Sequence, residues 1–381
     1  MKRLFITTGS ISLVNILTVI NTTEQDTLII LSFRQSDEFK QTQLKIASLH
    51  KFEKILFFKK EREVMRDVNI FEYDEVYSVT APRFYKLFGK HPRLYMFDEG
   101  PGYTAISDMS KVSGLKRFYA TRFLDKFDVL AMPENAERVF TDKEKFLKLS
   151  DKILSLFNEP VKLRTKRNIL FIGHYMYHRL GEDYALDFYK KYIDKFIKSG
   201  YNVYFKAHPR EESSFLPLLE VTFAESGKFH VIKSVLPIEI YNYDFDAATG
   251  SYSGTLVSLP HYRNIPAMNL PMKELYSSDA GIGFKKYFAL YEEYIPSFEE
   301  MEHVLTEPKS VIWKKYSEIM NKKVPIKDNT LLREILLYKP CVLKDVVFGI
   351  LAIFFKKPLK QKVKNFARRD FYKLLRRHAG F

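Results

Sequence analysis

The sequence predicts an α/β protein with two parallel sheets, because strand-like and helix-like segments alternate along most of its 381 residues. In the first half, short apolar runs suited to strands are separated by segments with apolar residues at helical spacing, as from Gln41 to Leu49. The predicted strands are Leu4–Thr7, Thr27–Ser32, Lys54–Phe58, Glu75–Val79, Arg93–Phe97 and Asp128–Met132. This alternation is typical of a parallel sheet with helices on both faces.

A second strand–helix series begins at residue 168 and divides the chain into two halves. Its predicted strands are Asn168–Ile172, Tyr201–Ala207, Phe229–Ile232, Asp244–Ala248 and Ile265–Leu270, and its predicted helices are Tyr184–Ser199, Pro237–Tyr241 and Gly254–Leu259. The charged stretch Glu137–Arg167 indicates a helix followed by a linker. We therefore predict Rossmann-like domains at residues 1–160 and 167–330, facing each other across a cleft, and a tail at residues 331–381.

The formal net charge of +15 indicates an anionic partner, which can be nucleic acid, a membrane surface or a negatively charged substrate. Residues 341–381 contain eleven Lys/Arg and two Asp/Glu, so this tail carries +9 of the total. No helix-turn-helix, zinc-finger or RRM signature occurs, and the charge is concentrated at one end. We therefore expect no nucleic-acid partner, and a basic nucleic-acid-binding protein is the weaker alternative.

The tail has the pattern of an amphipathic basic helix. Its apolar residues recur between the cations at Val363, Phe366, Phe371, Leu374 and Leu375. Such a helix can lie on an anionic membrane surface. The alternative is a C-terminal helix that packs on the first domain and leaves its charges in solvent.

Cysteine content and hydropathy indicate a cytoplasmic location. Cys341 is the single cysteine, so no intrachain disulfide can form and no cysteine zinc site can be built. The N-terminal apolar run ends at Gly9 and is too short for a signal peptide. The longest apolar run, Val346 to Phe355, is well short of the roughly 20 residues that span a bilayer. We expect a protein without a membrane span, placed peripherally on the inner membrane face.

Two adjacent carboxylates, Asp98 and Glu99, follow the predicted strand Arg93–Phe97 and precede Gly100. Ligands of open parallel sheets bind beyond the carboxyl ends of the strands. Because side chains alternate along a strand, only one of the two carboxylates can face the cleft. That carboxylate can act as a general base toward a sugar hydroxyl. The competing interpretation is a polar turn that caps a helix.

A cationic segment, Lys206-Ala207-His208-Pro209-Arg210, ends another predicted strand. Pro209 fixes the turn after His208, and a histidine held there can donate to a phosphate oxygen or protonate a leaving group. Gly173 ends the strand Asn168–Ile172 at the same edge and is a weaker candidate for contact with a donor.

The turn Thr249-Gly250-Ser251-Tyr252-Ser253 lies between a predicted strand and a predicted helix and is rich in hydroxyls. Backbone amides, hydroxyls and a helix N-terminus together suit a phosphate. The alternative is an ordinary Ser/Thr N-cap. The turn lacks the pattern of a P-loop, which disfavours ATP hydrolysis.

Taken in order, Asp98-Glu99-Gly100, His208-Pro209 and Ser251-Tyr252-Ser253 resemble the motif set of the bacterial CMP-sialic-acid-dependent sialyltransferases. That group includes the capsule polysialyltransferases and the lipooligosaccharide sialyltransferases, and its architecture is GT-B, with two Rossmann-like domains. The resemblance covers residues 98 to 253. The chain departs from the family where Tyr252 separates two serines that the family often places side by side.

The resemblance implies an inverting transfer from CMP-sialic acid to a hydroxyl of a cell-surface glycan. Asp98 matches the catalytic carboxylate, with Glu99 as the fallback if the register flips the pair. His208 matches the residue that meets the CMP phosphate and assists its departure. Ser251 and Ser253 match the hydroxyls on that phosphate, while Gly250, Lys206 and Pro209 belong to the same donor site. Glu239, in Pro237-Ile238-Glu239, matches a carboxylate that binds the ribose.

The chemistry of this transfer requires no metal or other cofactor, because a histidine, two hydroxyls and a lysine can neutralise the departing phosphate. Asp244-Phe245-Asp246 spells the Asp-x-Asp signature of a different glycosyltransferase architecture. It lies inside a predicted strand, and we interpret it as incidental. The alternative function is a GT-B transferase that uses another nucleotide sugar in capsule or O-antigen synthesis.

Overall fold

The computed structural model describes most of the first 324 residues. The described ranges are 1–20, 25–32, 36–80, 87–98, 109–110, 112–120, 132–157, 163, 167–174, 181–208, 216–272 and 285–324. All the described residues belong to one compact unit, within residues 1–336. The predicted basic tail lies outside the described residues, and the division into two domains stays a prediction.

The N-terminal half contains a parallel sheet whose seven described strands have the order β3-β2-β1-β4-β5-β6-β7. Its strands are β1 (Arg3–Thr7), β2 (Asp26–Leu31), β3 (Lys54–Phe58), β4 (Glu75–Val79), β5 (Leu94–Phe97), β6 (Leu115–Ala120) and β7 (Glu137–Phe140). β1, β2 and β4 are buried along their whole length, as expected for strands covered on both faces.

The C-terminal half contains a second parallel sheet, with five described strands in the order β10-β9-β8-β11-β12. Its strands are β8 (Asn168–Ile172), β9 (Asn202–Lys206), β10 (Phe229–Val231), β11 (Ala247–Gly250) and β12 (Ala267–Asn269). β8 is central and pairs with both β9 and β11. The carboxyl ends of these three strands therefore lie side by side.

Helices connect and cover the strands. The described α-helices are α1 (Ser10–Val19), α2 (Asp37–Ala47), α3 (Glu61–Asp67), α4 (Lys143–Leu156), α5 (Glu182–Lys198), α6 (Leu216–Phe223), α7 (Gly254–Arg263), α8 (Lys285–Tyr294), α9 (Phe298–Met301) and α10 (Lys309–Lys322). Single 3₁₀ turns occur at Ile70–Glu72, Ala224–Ser226, Ile238–Ile240 and Glu302–Val304. No helix in the described part of the chain is long and apolar enough to cross a membrane.

The stretch from residue 115 to 157 departs from the sequence prediction. β6 was not predicted, and the predicted helix over Glu137–Arg167 begins only at Lys143, after the edge strand β7. Arg117 and Glu137 form an ion pair across β6 and β7 at 2.6 Å, so the charged edge strand is held by its neighbour. The Asp142 carboxylate then accepts from the amides of Glu144 and Lys145 and starts α4. The predicted strand Asp128–Met132 falls largely outside the described residues.

Contacts between α4 and α7 join the two halves. The Phe146 ring stacks on Tyr262 with a centroid distance of 3.9 Å. The hydroxyls of Thr141 and Tyr262 share a hydrogen bond of 3.2 Å, and Lys143 Nζ donates to Asn264 Oδ1 at the same distance. The end of the N-terminal sheet is therefore packed against the end of a helix that starts from the C-terminal sheet.

Candidate active site

The carboxyl edges of the two sheets meet through α7. Thr141 directly follows β7 and contacts Tyr262, near the carboxyl end of α7. α7 itself begins at Gly254, four residues after the end of β11. Because a ten-residue helix is about 15 Å long, the ends of β7 and β11 lie roughly one short helix apart. Of the predicted site residues that the structure describes, all except Glu239 follow or end strands at these two edges.

Asp98 directly follows β5 at the carboxyl edge of the N-terminal sheet. Its amide donates to the carbonyl oxygen of Tyr119 at 3.0 Å and continues the β5–β6 ladder. Only 1% of the residue is exposed. Glu99 and Gly100 lie outside the described residues, so the choice between the two carboxylates as the base stays a prediction.

His208 follows β9 at the equivalent edge of the C-terminal sheet and is half-buried. Lys206 is the last residue of β9, and its ammonium group donates to the carbonyl oxygen of Ser234. An ammonium group has three N–H donors, so this bond fixes Lys206 beside the strand end without using all of them. Pro209 lies outside the described residues.

Gly173 follows β8, between the ends of β9 and β11. Its amide donates to the carbonyl oxygen of Lys206 at 2.9 Å. That amide therefore extends the β8–β9 ladder and offers no hydrogen to a donor substrate. The predicted donor contact at Gly173 is limited to a close approach of its backbone.

Gly250 ends β11 in a conformation that requires glycine. Its φ is +157°, and a Cβ at this position would lie 2.6 Å from the carbonyl oxygen of Ile172. The absence of a side chain lets β11 pair closely with β8 just before the hydroxyl-rich turn.

The two serines of that turn have different surroundings. Ser251 is 2% exposed, and its Oγ donates to the carbonyl oxygen of Leu270 at 2.5 Å. The Ser251 hydroxyl proton is thus donated within the fold, and the expected contact of Ser251 with phosphate stays a prediction. Ser253 is half-buried, and its Oγ accepts from the amide of Thr255 at 3.4 Å as the N-cap of α7. Among the described residues, the Ser253 hydroxyl is seen only as an acceptor, so its geometry leaves it better placed than Ser251 to donate to a ligand; its contact with phosphate stays a prediction.

Tyr252 explains why the two serines are separated. It adopts a left-handed backbone conformation with φ of +49°, and its side chain is fully buried. Its hydroxyl donates to Glu292 Oε1 at 2.9 Å, and its ring packs on Phe288 with centroids 4.4 Å apart. Tyr252 therefore anchors the turn in the core, a structural role that the sequence pattern did not reveal.

Glu239 lies in the 3₁₀ turn Ile238–Ile240 and is 3% exposed. Its Oε1 accepts from Ser258 Oγ on α7 at 2.8 Å. Arg263, at the end of α7, donates through Nε to the Glu239 carbonyl oxygen at 2.8 Å and also donates to the carbonyl oxygen of Ile240. Burial lowers the pKa of Arg263. Sequence reasoning missed Ser258 and Arg263, because neither belongs to a motif.

Asp244 and Asp246 lie away from this site. Both precede β11, which begins at Ala247, so the predicted strand over residues 244–248 starts three residues too early. They line a cavity of about 510 Å³ at the amino edge of the C-terminal sheet. The Asp246 carboxylate accepts from the Asn168 amide at 2.7 Å, and burial raises its pKa. Among the residues that the structure describes, no cluster of three or more metal-ligating side chains occurs.

Residues 90–270 match the alpha-2,8-polysialyltransferase family. The matched region contains Asp98, His208, Glu239 and Ser253. The match confirms the predicted resemblance and the prediction of a glycosyltransferase of the sialyltransferase type, and it implies a nucleotide-sugar donor and a glycan acceptor. Among curated proteins, none matches this sequence significantly.

The first of two solved structures, with a TM-score above 0.5, confirms the GT-B fold. UDP-GlcNAc 2-epimerase from Neisseria meningitidis, bound to UDP-GlcNAc, is similar with a TM-score of 0.56 and 13% identity, over 88% of this chain and 98% of that chain. Arabidopsis thaliana UGT89C1, complexed with UDP-L-rhamnose, has a TM-score of 0.48 and 11% identity, over the same shares of the two chains. At these identities the likeness concerns the fold alone.

Proposed function

We propose that the protein transfers sialic acid from CMP-sialic acid to a hydroxyl of a cell-surface glycan, with inversion at the anomeric carbon. The observation that carries this proposal is the pairing of a carboxylate edge with a phosphate-suited edge. Asp98 follows β5 in one sheet, while His208 and Ser253 follow β9 and β11 in the other. The family match over residues 90–270 supports the choice of sugar.

The donor side binds the CMP phosphate through three groups. The Ser253 hydroxyl, the first amides of α7 and the His208 imidazole offer donors to its oxygens. Ser253 and His208 follow β11 and β9, which flank β8, so they lie about two strand spacings, or 10 Å, apart. Glu239 binds the ribose hydroxyls in this proposal, and Ser258 and Arg263 hold its turn in place.

In the chemical step, the bond between the anomeric carbon and the CMP phosphate oxygen breaks, and the acceptor oxygen bonds to that carbon. The electron pair of the broken bond stays on the phosphate, where His208 donates a hydrogen bond or a proton to it. The acceptor hydroxyl proton passes to the carboxylate of Asp98 or Glu99. The step involves no oxidant, and these side chains supply the proton transfers without a metal ion.

CMP release from CMP-sialic acid tests the proposal directly. It should depend on an acceptor ending in galactose or sialic acid and should persist in chelator. His208→Ala should lose about 100-fold or more in kcat. The same loss is expected for one of the two variants Asp98→Asn and Glu99→Gln, namely the one that removes the general base. Thr141→Ser, which keeps the hydroxyl beside Tyr262, is the matched control outside the reacting groups. CMP release that needs a divalent metal would refute the metal-independent mechanism, and UDP-sugar turnover without CMP binding would refute the donor.

We also propose that the enzyme works at the inner membrane face on capsule or lipooligosaccharide, held there by the basic tail. Supporting this is the +9 charge of residues 341–381. Binding to vesicles with and without anionic lipid tests it. A truncation after Phe355 should lose anionic-vesicle binding and keep activity on a soluble acceptor, and equal binding by both forms would refute the role of the tail.

A further inference from the structure

The turn between β1 and α1 carries hydrogen-bonding groups that the proposed chemistry does not use. It comprises Thr7-Thr8-Gly9-Ser10-Ile11-Ser12, and residues 8–11 are half-buried rather than enclosed. Ser12 Oγ accepts from the amides of Thr8 and Gly9 at 3.2 Å each. Those two amides are thereby satisfied inside the turn.

Within the part of the chain that the structure describes, the first turn of α1 is left with amide donors that no acceptor satisfies. The amides of Ser10, Ile11 and Ser12 have no acceptor within an α-helix, and the N-cap Gly9 has no side chain to provide one. No acidic residue stands in the first turn to balance the positive end of the helix dipole. Three open amides at a helix N-terminus suit an anion.

A second, independent feature at this turn indicates a ligand. Gln43 on α2 is fully buried, and its Nε2 donates to Ser10 Oγ at 2.6 Å. Gln43 Oε1 has no hydrogen-bond partner within the described part of the chain. Since buried amide oxygens are nearly always paired, this oxygen, on the amide group that contacts Ser10, indicates a ligand with a hydrogen-bond donor. A molecule with both an anionic group and a hydroxyl or N–H group satisfies the helix amides and Gln43 together.

The turn lies at the same sheet edge as Asp98. β1 and β5 flank β4, so the residues that follow them are about two strand spacings, or 10 Å, apart. That span suits one sugar residue, held by its carboxylate at the turn and presenting a hydroxyl to Asp98.

We propose that the β1–α1 turn is a binding site for the carboxylate of the acceptor's terminal sugar, with Ser10 and Gln43 as its specificity-determining residues. This inference rests on the proposed function, because it assigns the acceptor to the Asp98 edge. The ligand class is an acidic sugar, and the free anionic alternative is phosphate.

The test compares Ser10→Asp with Ser10→Asn. Aspartate in the first helical turn is favoured by the helix dipole, so Ser10→Asp should melt no lower than Ser10→Asn. Its carboxylate repels a ligand carboxylate at the open amides. Titration calorimetry should show that a lactoside ending in two sialic acids binds about tenfold more weakly to Ser10→Asp than to Ser10→Asn. The carboxyl methyl ester of the same lactoside should bind equally to both variants. The ratio of the two dissociation constants for the acid should shrink in about 1 M salt, where charges are screened.

Equal binding of the acid by both variants would overturn the proposal. So would a change in the affinity for CMP or inorganic phosphate in place of the acceptor. Gln43→Met provides a second variant. It should bind the acidic lactoside more weakly, while its far-UV circular dichroism spectrum stays the same as that of the wild type. These titrations need no sugar donor. A failure of CMP release would therefore count against the proposed donor, while the titrations would still decide whether the acceptor binds at this turn.

Discussion

Replacing Gly250 with alanine tests whether the close approach of β11 to β8 builds the phosphate turn. The new Cβ would lie 2.6 Å from the Ile172 carbonyl oxygen and 3.1 Å from the Ile172 Cβ. Both atoms belong to the central strand β8, whose backbone is paired on both sides. The contact cannot be relieved by rotating a flexible side chain, so the strands must separate.

Two costs add in this variant. The positive φ of +157° disfavours any residue with a Cβ, by about 1–2 kcal/mol, which is the lower part of the range for sparsely populated backbone regions. The overpacked contact adds about 1–3 kcal/mol. We therefore expect Gly250→Ala to lose about 2–5 kcal/mol of unfolding free energy. Gly181→Ala is the matched control, because φ there is +97° but a Cβ meets no atom of the described residues within 4 Å. It should lose only the conformational part.

Urea-induced unfolding followed by circular dichroism gives both free energies, and titration calorimetry gives the affinity for CMP. Gly250→Ala should be less stable than Gly181→Ala and should also bind CMP more weakly, because strand separation displaces Ser253. Equal stability of the two variants would refute the steric argument. Unchanged CMP affinity in a destabilised Gly250→Ala would refute the link between the strand contact and the donor site.

Three further substitutions test contacts elsewhere. Ser258→Ala removes the 2.8 Å hydrogen bond to Glu239, and we expect the KM for the donor to rise several-fold with a smaller change in kcat. A fall in kcat with an unchanged KM would contradict the proposed role of Glu239. Asp26→Asn leaves the buried guanidinium of Arg3, now bound at 2.6 Å, without its carboxylate and should cost about 3–5 kcal/mol in urea unfolding; a loss below about 1 kcal/mol would argue against it. Burial raises the folded-state pKa of Asp246, so ionisation of this carboxyl group opposes folding. The unfolding free energy of the wild type minus that of Asp246→Asn should therefore fall as the pH rises above about 3.9. A difference that stays constant with pH would contradict the burial argument.

Much of the fold follows from periodicity, because buried parallel strands are continuous apolar runs. β3, β4 and β8 begin and end at the predicted residues. β6 and β7 were missed because Leu115-Lys116-Arg117 and Glu137-Arg138 are charged. Their strand conformation depends on pairing with β5 and with each other, and pairing partners distant in sequence leave no local signal.

For the candidate site, too, the sequence predicted some features and missed others. Sequence motifs correctly predicted that Asp98, His208 and Ser253 follow strands, and parallel topology brings the strand ends of each sheet to one edge of that sheet. The sequence could not distinguish Ser251 from Ser253, since the difference arises from the carbonyl of Leu270, the residue that follows the neighbouring strand β12. Tyr252 also looked like an interruption, and only its buried contacts show it to be the anchor of the turn.

The contacts of α4 connect the acceptor and donor sides physically. α4 follows β7 of the N-terminal sheet, and Phe146 on α4 stacks on Tyr262 of α7. Tyr262 neighbours Arg263, whose guanidinium holds the backbone of Glu239. A movement of the N-terminal sheet against α7 must therefore disturb either the Phe146 stack or the Glu239 turn, because packed side chains transmit displacement rather than absorb it. The geometry of the proposed ribose contact thus depends on the same packing that sets the distance between the two sheet edges.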